Sequence, residues 1–263
     1  MKETIRKTLC GLEAEQGCRI LFAVESGSRA WGFASPDSDY DVRAVYARPL
    51  DWYLGLEENP PDTWNRQLPG DLDISAWDLR KALRHALKGN PAFLEWLGSP
   101  IVYRDDGMIG EIARIAATVF NPAHAAYHYA SLFRHAIEDR GPDGTVGVKK
   151  LCYALRASLC VQWIFRFGTM PPTAFADVVA GMSLADAKRD AISRLLVLKA
   201  ATSEKARTIP EPALLALLED RYDEVRNHSW RSPPDEAVAT ARAWLERLFT
   251  ECVKGDGTWE KDF

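Results

Sequence analysis

The sequence predicts an α+β fold, in which a small mixed β-sheet flanked by helices is followed by a mostly helical C-terminal domain. Three segments with strand composition or strand alternation, 19–25, 41–47 and 71–77, all lie in the first third of the chain. From Pro122 onward, apolar residues recur almost everywhere at helical spacing. A run of strands followed by a run of helices is typical of the α+β class.

The first two predicted strands are separated by a polar loop. Residues 19–25 form an apolar run of strand formers that ends at Ser26-Gly27-Ser28, and residues 41–47 alternate after the loop at 29–38. Residues 49–70 contain four prolines and many polar side chains, so we expect an irregular excursion with a short helix starting near Trp52.

The third predicted strand, 71–77, is half-buried. Its apolar residues and its polar residues fall on opposite faces, because strand side chains alternate. One face carries Leu72, Ile74 and Ala76, and the other carries Asp71, Asp73 and Ser75.

Helical periodicity and prolines predict the remaining elements. The predicted helices are 3–16, 79–87, 90–97, 108–119, 122–139, 146–168, 173–181, 185–200, 211–228 and 234–253. We expect a catalytic domain at 1–110, a helical domain that completes the nucleotide and acceptor cleft at 111–255, and a loose tail at 256–263.

Asp39 and Asp41 are the first candidate catalytic residues. Strand side chains at i and i+2 project from one face, and neighbouring carboxylates usually persist where a divalent cation lies between them. A third carboxylate is expected on a neighbouring strand; Asp73 is the candidate, and Asp71 is the alternative. Two Mg²⁺ ions, replaceable by Mn²⁺, are therefore the expected cofactor, held by Asp39, Asp41 and Asp73.

The residues around this pair have the chemistry to bind a nucleotide. Gly27 allows close backbone approach, Ser28 offers a hydroxyl group, and Arg29 can pair with a phosphate. Arg43 lies two residues after Asp41 and so shares its face of the second predicted strand. We therefore expect Arg43 to neutralise the carboxylates or to bind phosphate. Ser38 completes the predicted nucleotide-binding residues of this region.

These residues also have structural interpretations, which the sequence leaves open. A Ser-Asp-x-Asp cluster is often a self-capping turn. Arg29 could pair with Asp37 or Glu25, and Trp31 and Phe33 either stack on a base or cover the sheet edge.

A second set of candidate nucleotide-binding residues lies in the helical region. Lys149, Tyr153 and Arg156 have spacings of 0, +4 and +7 and form one helix face, beside Lys150. We expect this cationic and aromatic face to clamp a triphosphate and cover the base; a plain solvated face is the alternative. Another face, expected to be buried, carries Leu151, Leu155 and Leu159.

The stretch ILFAVESGSRAWGFASPDSDYDVRAVY (20–46) closely resembles the signature of the DNA polymerase β-like nucleotidyltransferase superfamily, where Gly-Ser closes the first strand and D-x-D opens the second. Within it, GSRAWGFASPDSDYDVR is similar to the RNA repair pathway DNA polymerase β family of predicted nucleotidyltransferases. The resemblance continues through DLDISAWDLRKAL (71–83), NPAFLEWLGSPIVY (90–103) and KKLCYALRASLCVQWI (149–164). It implies a third acidic residue at Asp73 and an RNA end, such as a damaged tRNA, as acceptor.

Composition sets limits on partners and compartment. The net charge of −4 argues against a large nucleic-acid footprint, although residues 121–200 hold 10 lysines and arginines against 6 acids. No apolar run is long enough to span a bilayer, so we expect no membrane partner. The five scattered cysteines indicate buried thiols in a reducing, cytoplasmic compartment.

Together these features predict a magnesium-dependent nucleotidyltransferase. An acceptor hydroxyl would attack the α-phosphorus of a nucleoside triphosphate and release pyrophosphate, through positioning and charge stabilisation. The sequence contains neither a P-loop nor a G-x-S-x-G motif. The alternatives are nucleotidylation of a small molecule or a protein, and a non-catalytic nucleotide-binding module.

Overall fold

A computed structural model describes residues 1–57, 61–137 and 141–255. The chain divides into two compact units. We call them the sheet unit (residues 1–26, 39–119 and 233 onward) and the helical unit (residues 27–38 and 120–232). This division differs from the predicted domains, because the loop at 27–38 groups with the helices and the last helix groups with the sheet. The predicted tail at 256–263 lies outside the described residues.

The sheet unit contains a mixed β-sheet, as the predicted fold class requires, and this sheet has five strands. Its strands are β1 (Arg19–Glu25), β2 (Tyr40–Ala47), β3 (Thr63–Leu68), β4 (Leu72–Asp78) and β5 (Val102–Asp105). The strand order is β3-β4-β2-β1-β5. The pairing of β2 with β4 is parallel, and the other pairings are antiparallel.

Two strands of this sheet are additional to the prediction. β3 lies in the proline-rich stretch that we expected to be irregular, and Trp64 is the one residue of this edge strand that is buried. β5, at the other edge, has only four residues and ends in the turn-forming Arg104–Asp106 stretch. Short edge strands with little buried surface leave a weak pattern in the sequence.

The helices mostly match the predicted segments within a few residues. They are α1 (Lys2–Gln16), α2 (Gly27–Trp31), α3 (Leu50–Tyr53), α4 (Leu79–Leu87), α5 (Pro91–Leu97), α6 (Met108–Thr118), α7 (Pro122–Ile137), α8 (Val148–Phe167), α9 (Phe175–Gly181), α10 (Asp186–Ala201), α11 (Pro212–Leu215), α12 (Tyr222–Asn227) and α13 (Asp235–Lys254). In the described ranges, none of them has the length and apolar character that crossing a bilayer requires.

The sheet of the sheet unit is covered on both faces. One face packs against α1, where Ile5 and Leu9 meet Ile20, Tyr46 and Ile74. The other face packs against α4, α5, α6 and α13. Burying an aliphatic or aromatic side chain of this size contributes about 1.5–3 kcal/mol. These two layers hold β2 and β4 in one register.

The helical unit is built around α8, a long helix in which 12 of the 20 residues are buried. Leu151, Leu155 and Leu159 lie in its core, as the sequence predicts. The loop at 27–38 contributes Phe33 to the same core. A two-stranded ladder of β6 (Val146–Gly147) and β7 (Arg207–Thr208) completes the unit.

The prediction of one helix at 211–228 is wrong, since the chain forms the separate short helices α11 and α12 there. The break is stabilised by Ser158, a fully buried residue of α8. Its hydroxyl donates to the carbonyl oxygen of Leu217 at 2.8 Å and accepts from the amide of Glu219 at 3.1 Å. Backbone groups freed by the break are therefore satisfied by a distant side chain.

Asp78 joins β4 to α4 and is 2% exposed. Its carboxylate accepts hydrogen bonds of 2.8 Å from the Arg80 amide and from the Tyr53 hydroxyl, so it caps the helix N-terminus. Burial raises the pKa of this carboxyl above its ordinary value.

We expect Asp78→Ala to lower the free energy of unfolding by about 1 kcal/mol or more, because the cap is lost. Asp78→Asn keeps an acceptor oxygen. A buried acid with a raised pKa stabilises fully below its unfolded pKa and loses that contribution as the pH rises through its folded pKa. Above about pH 4, as the pH rises through the folded pKa, wild type should therefore lose stability relative to Asp78→Asn. Urea unfolding measures this, and a pH-independent difference would contradict it.

Candidate functional site

The first aspartate of β2 is held by a buried carboxylate at the end of β1. Glu25 is 1% exposed, and its Oε1 accepts from the amide of Asp41 at 2.8 Å. Its Oε2 accepts a short hydrogen bond from the hydroxyl of Tyr103. The amide of Ser26 donates to the carbonyl oxygen of Asp41 at 2.8 Å. Glu25 therefore positions the backbone of Asp41.

Asp41 and Asp73 lie side by side on the parallel strands β2 and β4. They are partners in the strand register. Val42, Ala44 and Ile74 point into the core under α1, so the two aspartates project from the opposite face. The expectation of a carboxylate on a neighbouring strand is met by this pairing.

Arg43 bridges the two aspartates. Its Nη2 lies 3.0 Å from Asp41 Oδ1, and its Nη1 lies 2.9 Å from Asp73 Oδ2. The carboxylate side chains are about 30% exposed and the guanidinium is 19% exposed, so solvent reaches the triad. Arg43 thus lies on the face of Asp41 and contacts both carboxylates, while its predicted alternative role in binding phosphate stays a prediction.

Asp71, the alternative third carboxylate, has a different role. It is exposed and has a φ of 56° in the turn between β3 and β4. Aspartate tolerates this left-handed conformation better than most residues. Its carbonyl oxygen accepts from the Tyr40 amide at 2.7 Å. Geometry therefore favours Asp73 as the partner of Asp41.

Asp39 is exposed and precedes β2. Across residues 1–57, 61–137 and 141–255, no three histidine, cysteine, aspartate or glutamate side chains are grouped to hold a metal ion. The expected cluster of Asp39, Asp41 and Asp73 is thus not preassembled. Instead, the positive charge between Asp41 and Asp73 comes from Arg43.

In the helical unit, the loop at 27–38 is closed by its own backbone and side chains. Gly27 has a φ of 62°, a conformation that costs other residues about 1–2 kcal/mol. Ser28 is buried, and its carbonyl oxygen accepts from the Phe33 amide at 2.9 Å. Arg29 Nη2 donates to the carbonyl oxygen of Ser38 at 2.6 Å.

A polar cluster, which we call the Glu204 network, holds the end of this loop. It comprises Ser35, Ser38, Lys149, Lys199 and Glu204. The Ser38 hydroxyl donates to Glu204 Oε1 at 2.9 Å, and Lys199 Nζ lies 2.6 Å from the Ser35 hydroxyl and 3.3 Å from Glu204 Oε1. Lys149 donates a short hydrogen bond to Glu204 Oε2. Lys199 is fully buried, and these hydrogen bonds offset the free-energy cost of burying its amino group.

The backbone of Glu204 also contacts the loop, through its amide and both oxygens of Asp37 at 3.0 and 3.1 Å. Partial burial opposes ionisation of Glu204, but hydrogen bonds from Lys149 and Ser38 outweigh it and lower the pKa of this carboxyl. Sequence reasoning missed Lys199 and Glu204, because they lie more than 160 residues from the loop that they hold.

The helix face of Lys149, Tyr153 and Arg156 differs from the expected triphosphate clamp. Arg156 is 2% exposed; its guanidinium lies 4.5 Å from the centre of the Trp31 ring and 5.6 Å from that of Tyr129. The Tyr153 ring packs edge-on against Trp31, with centres 5.0 Å apart. Cation–π packing explains why this arginine is buried in the unit's interior.

Two other expectations for this region can now be compared with the structure. Phe33 is buried against Phe175, so it serves the core and not a base-stacking wall. Lys150 is exposed and makes no hydrogen bond or ion pair with another residue in the described ranges. It lies beside the predicted cationic face, and its side chain is open to solvent.

Paired aspartates on adjacent strands and a Gly-Ser segment after the first strand are typical of a nucleotidyltransferase. The chain belongs to the RNA repair pathway DNA polymerase β family, whose model matches residues 1–251. This membership confirms the resemblance seen in the sequence and indicates nucleotidyltransferase-type activity in an RNA repair pathway.

Two individual proteins are similar to this chain. The uncharacterized protein YcgL of Bacillus subtilis (strain 168) is 43% identical over 176 residues, which cover 66% of this chain and 67% of that protein. A crystal structure of a nucleotidyltransferase-like protein from Exiguobacterium sibiricum 255-15 matches with a TM-score of 0.31 and 11% identity, covering 100% of this chain and 81% of that one.

We expect Lys199→Met to destabilise the helical unit by roughly 2 kcal/mol, because hydrogen bonds made by a buried charge are lost. Lys188→Met, on the same helix, is the matched control, since Lys188 makes no ion pair with another described residue. Thermal unfolding compares the two variants. Equal midpoints would show that the Glu204 network does not stabilise the unit.

The same network predicts a pH dependence. An acid with a lowered pKa stabilises above its unfolded value, here 4.5, and loses that contribution as the pH falls through the folded pKa. As the pH falls through the folded pKa of Glu204, the free energy of unfolding of Glu204→Gln should therefore decrease less than that of wild type.

Proposed function

We propose that the protein transfers a nucleoside monophosphate from a nucleoside triphosphate to an acceptor hydroxyl group and releases pyrophosphate. We propose an RNA end, such as that of a damaged tRNA, as the acceptor. The observation that carries the proposal is the pairing of Asp41 with Asp73 on adjacent parallel strands. The guanidinium of Arg43 bridges their carboxylates. Family membership supports the same reaction class.

The paired carboxylates fit a divalent cation. Their oxygens already accept a positive group at 2.9–3.0 Å, they are open to solvent, and oxygen ligands suit Mg²⁺ or Mn²⁺. Asp41 and Asp73 would hold the metal, with Asp39 as the third proposed ligand. Bound Mg²⁺ would supply charge neutralisation at the phosphates and activation of the attacking hydroxyl.

The protein's own residues would orient the reactants. Glu25 holds the backbone of Asp41 and so sets the direction of its carboxylate. Arg43 would contact the phosphate oxygens through its guanidinium, which can form two parallel hydrogen bonds.

The remaining predicted nucleotide-binding residues have separate proposed roles. Gly27, Ser28 and Arg29 would bind the triphosphate, and Ser38 would hold their loop in shape through the Glu204 network. Lys150, as the exposed lysine of the helical face, is the proposed further phosphate contact. Lys149, Tyr153 and Arg156 would support this region by packing and ion pairing.

We expect Asp41→Asn and Asp73→Asn each to reduce pyrophosphate release by a factor of about 100 or more, because each removes a charge at the reacting phosphates. Asp71→Asn is the matched control: it removes an acid two residues away, and asparagine tolerates its left-handed backbone. Pyrophosphate release from each of the four triphosphates with Mg²⁺ and RNA measures the effect. Full activity of Asp73→Asn would contradict the proposed role.

The acceptor is identified by where the label goes. Wild type is incubated with a labelled triphosphate, Mg²⁺ and either total RNA or an RNA-free cell extract. Label in the RNA supports the proposal, whereas label in protein or in small molecules supports the alternative acceptors.

Arg43→Met should tighten the binding of Mn²⁺ at least about fivefold, because it removes a cation that competes for two carboxylates about 3 Å away. The control is Arg66→Met. Arg66 lies on the edge strand β3 and forms an ion pair with Glu15 of α1, which this substitution removes. Electron paramagnetic resonance of Mn²⁺ during titration measures affinity without turnover. Weaker binding in Arg43→Met would show that the guanidinium organises the metal site instead of occupying it.

A further inference from the structure

The sheet unit carries a groove between α4 and α13 that takes no part in the carboxylate site. Its volume is about 350 Å³, within the range of pockets that bind small ligands. Leu83, Leu87, Leu245 and Phe249 form an apolar floor.

The rim of the groove is positively charged. Arg80, Arg84 and Arg242 line it, against the single acid Glu246. Arg84 and Arg242 are exposed, and within the described ranges neither guanidinium pairs with a carboxylate. Arg80 stacks on Phe249, 5.3 Å from the ring centre, which keeps its charge beside the aromatic floor.

The positive charge continues along α4 beyond the groove. This helix contains no acidic residue, and Arg84 also lines a second cavity of about 150 Å³ together with Lys81, His85, Lys88 and the acid Asp62. Asp62 pairs with Lys81 at 2.9 Å, so Arg84 carries the positive charge that both cavities share. Arg80 to Lys88 spans about 12 Å of helix. A stacked nucleic-acid strand places one phosphate about every 3.4 Å along its axis, so several phosphates fit this length.

We propose that the α4–α13 groove binds a single-stranded segment of RNA, with phosphates on Arg84 and Arg242 and a base over Phe249 and the leucines. A cationic groove with an aromatic floor is the usual arrangement for single strands. Arginine suits phosphate because its planar guanidinium can form two parallel hydrogen bonds. The inference rests on the proposed function in that RNA is the acceptor class, and it names a surface that binds this acceptor.

An acidic partner peptide is the competing occupant. The observations favour RNA because Arg84 lines both cavities and so extends the basic surface past the apolar floor, where a peptide helix seated on the leucines gains no further apolar contact.

The test measures binding without turnover. Fluorescence anisotropy of a labelled oligouridine strand is recorded over a range of salt concentrations for wild type, for Arg84→Ala/Arg242→Ala, and for Lys2→Ala/Lys7→Ala. The control pair removes the same charge from exposed positions on α1 of the same unit. Each phosphate contact contributes about 0.7 to the logarithmic salt slope of a single strand. We expect the groove variant to lose about 1.4 of slope and to bind at least tenfold more weakly, while the control stays near wild type.

The possible results separate the proposed RNA-binding groove from the proposed reaction. Equal losses in both variants, or no loss in the groove variant, would overturn the proposal, as would binding of an amphipathic acidic peptide but not of RNA. Circular dichroism of the groove variant excludes misfolding as the cause of a loss. If RNA binds through the groove but no label is transferred from a triphosphate, the proposed reaction fails and the groove assignment stands. If label is transferred to RNA and the groove variant binds normally, only the groove assignment fails.

Discussion

The parallel pairing of β2 with β4 is the constraint on which the candidate site depends. Register decides the chemistry here, because moving either strand by one residue would turn its aspartate toward the core under α1. That slip would bury a charge and expose Val42 or Ile74, so the hydrophobic layer enforces the register. The same burial that stabilises the sheet therefore brings Asp41 and Asp73 together.

Two carboxylates held this close need a positive partner, and the chain supplies one in Arg43. Without it, mutual repulsion would favour separation of the pair. The guanidinium thus holds both carboxylates in one orientation. In the proposed reaction, a divalent cation would bind at this site in place of the guanidinium, with no need for a rearrangement of the backbone.

Local sequence patterns were enough to predict which side chains share one face of a strand. The alternation of 71–77 identified Asp73, and the i, i+2 spacing identified the face of Asp41 and Arg43, because strand geometry links sequence spacing to direction. Features that depend on distant contacts were not predictable in this way. Arg156 has the spacing of an exposed cationic face, yet its surroundings are aromatic rings from the loop at 27–38 and from α7.

Distant contacts also explain the other differences. Lys199 looks like a surface residue on α10, and only the hydroxyl of Ser35 and the carboxylate of Glu204 make its burial tolerable. The break between α11 and α12 depends on Ser158, about 60 residues earlier in the chain. In each case a polar side chain satisfies groups that no local pattern connects with it. Such pairs are formed by tertiary packing, which a single sequence does not display.

The net charge of the chain and the charge of a single helix differ in sign. A total of −4 argues against a protein that coats nucleic acid, yet it places no limit on a helix such as α4, whose charged residues are all basic. At an ionic strength of about 0.15 M the Debye length is about 8 Å, so a phosphate on α4 responds mainly to the side chains within that distance. The groove between α4 and α13 can therefore attract a polyanion on a protein that is acidic overall. A short footprint of this kind suits an enzyme that acts on one RNA end, since a few phosphate contacts position the end without tight retention of the product.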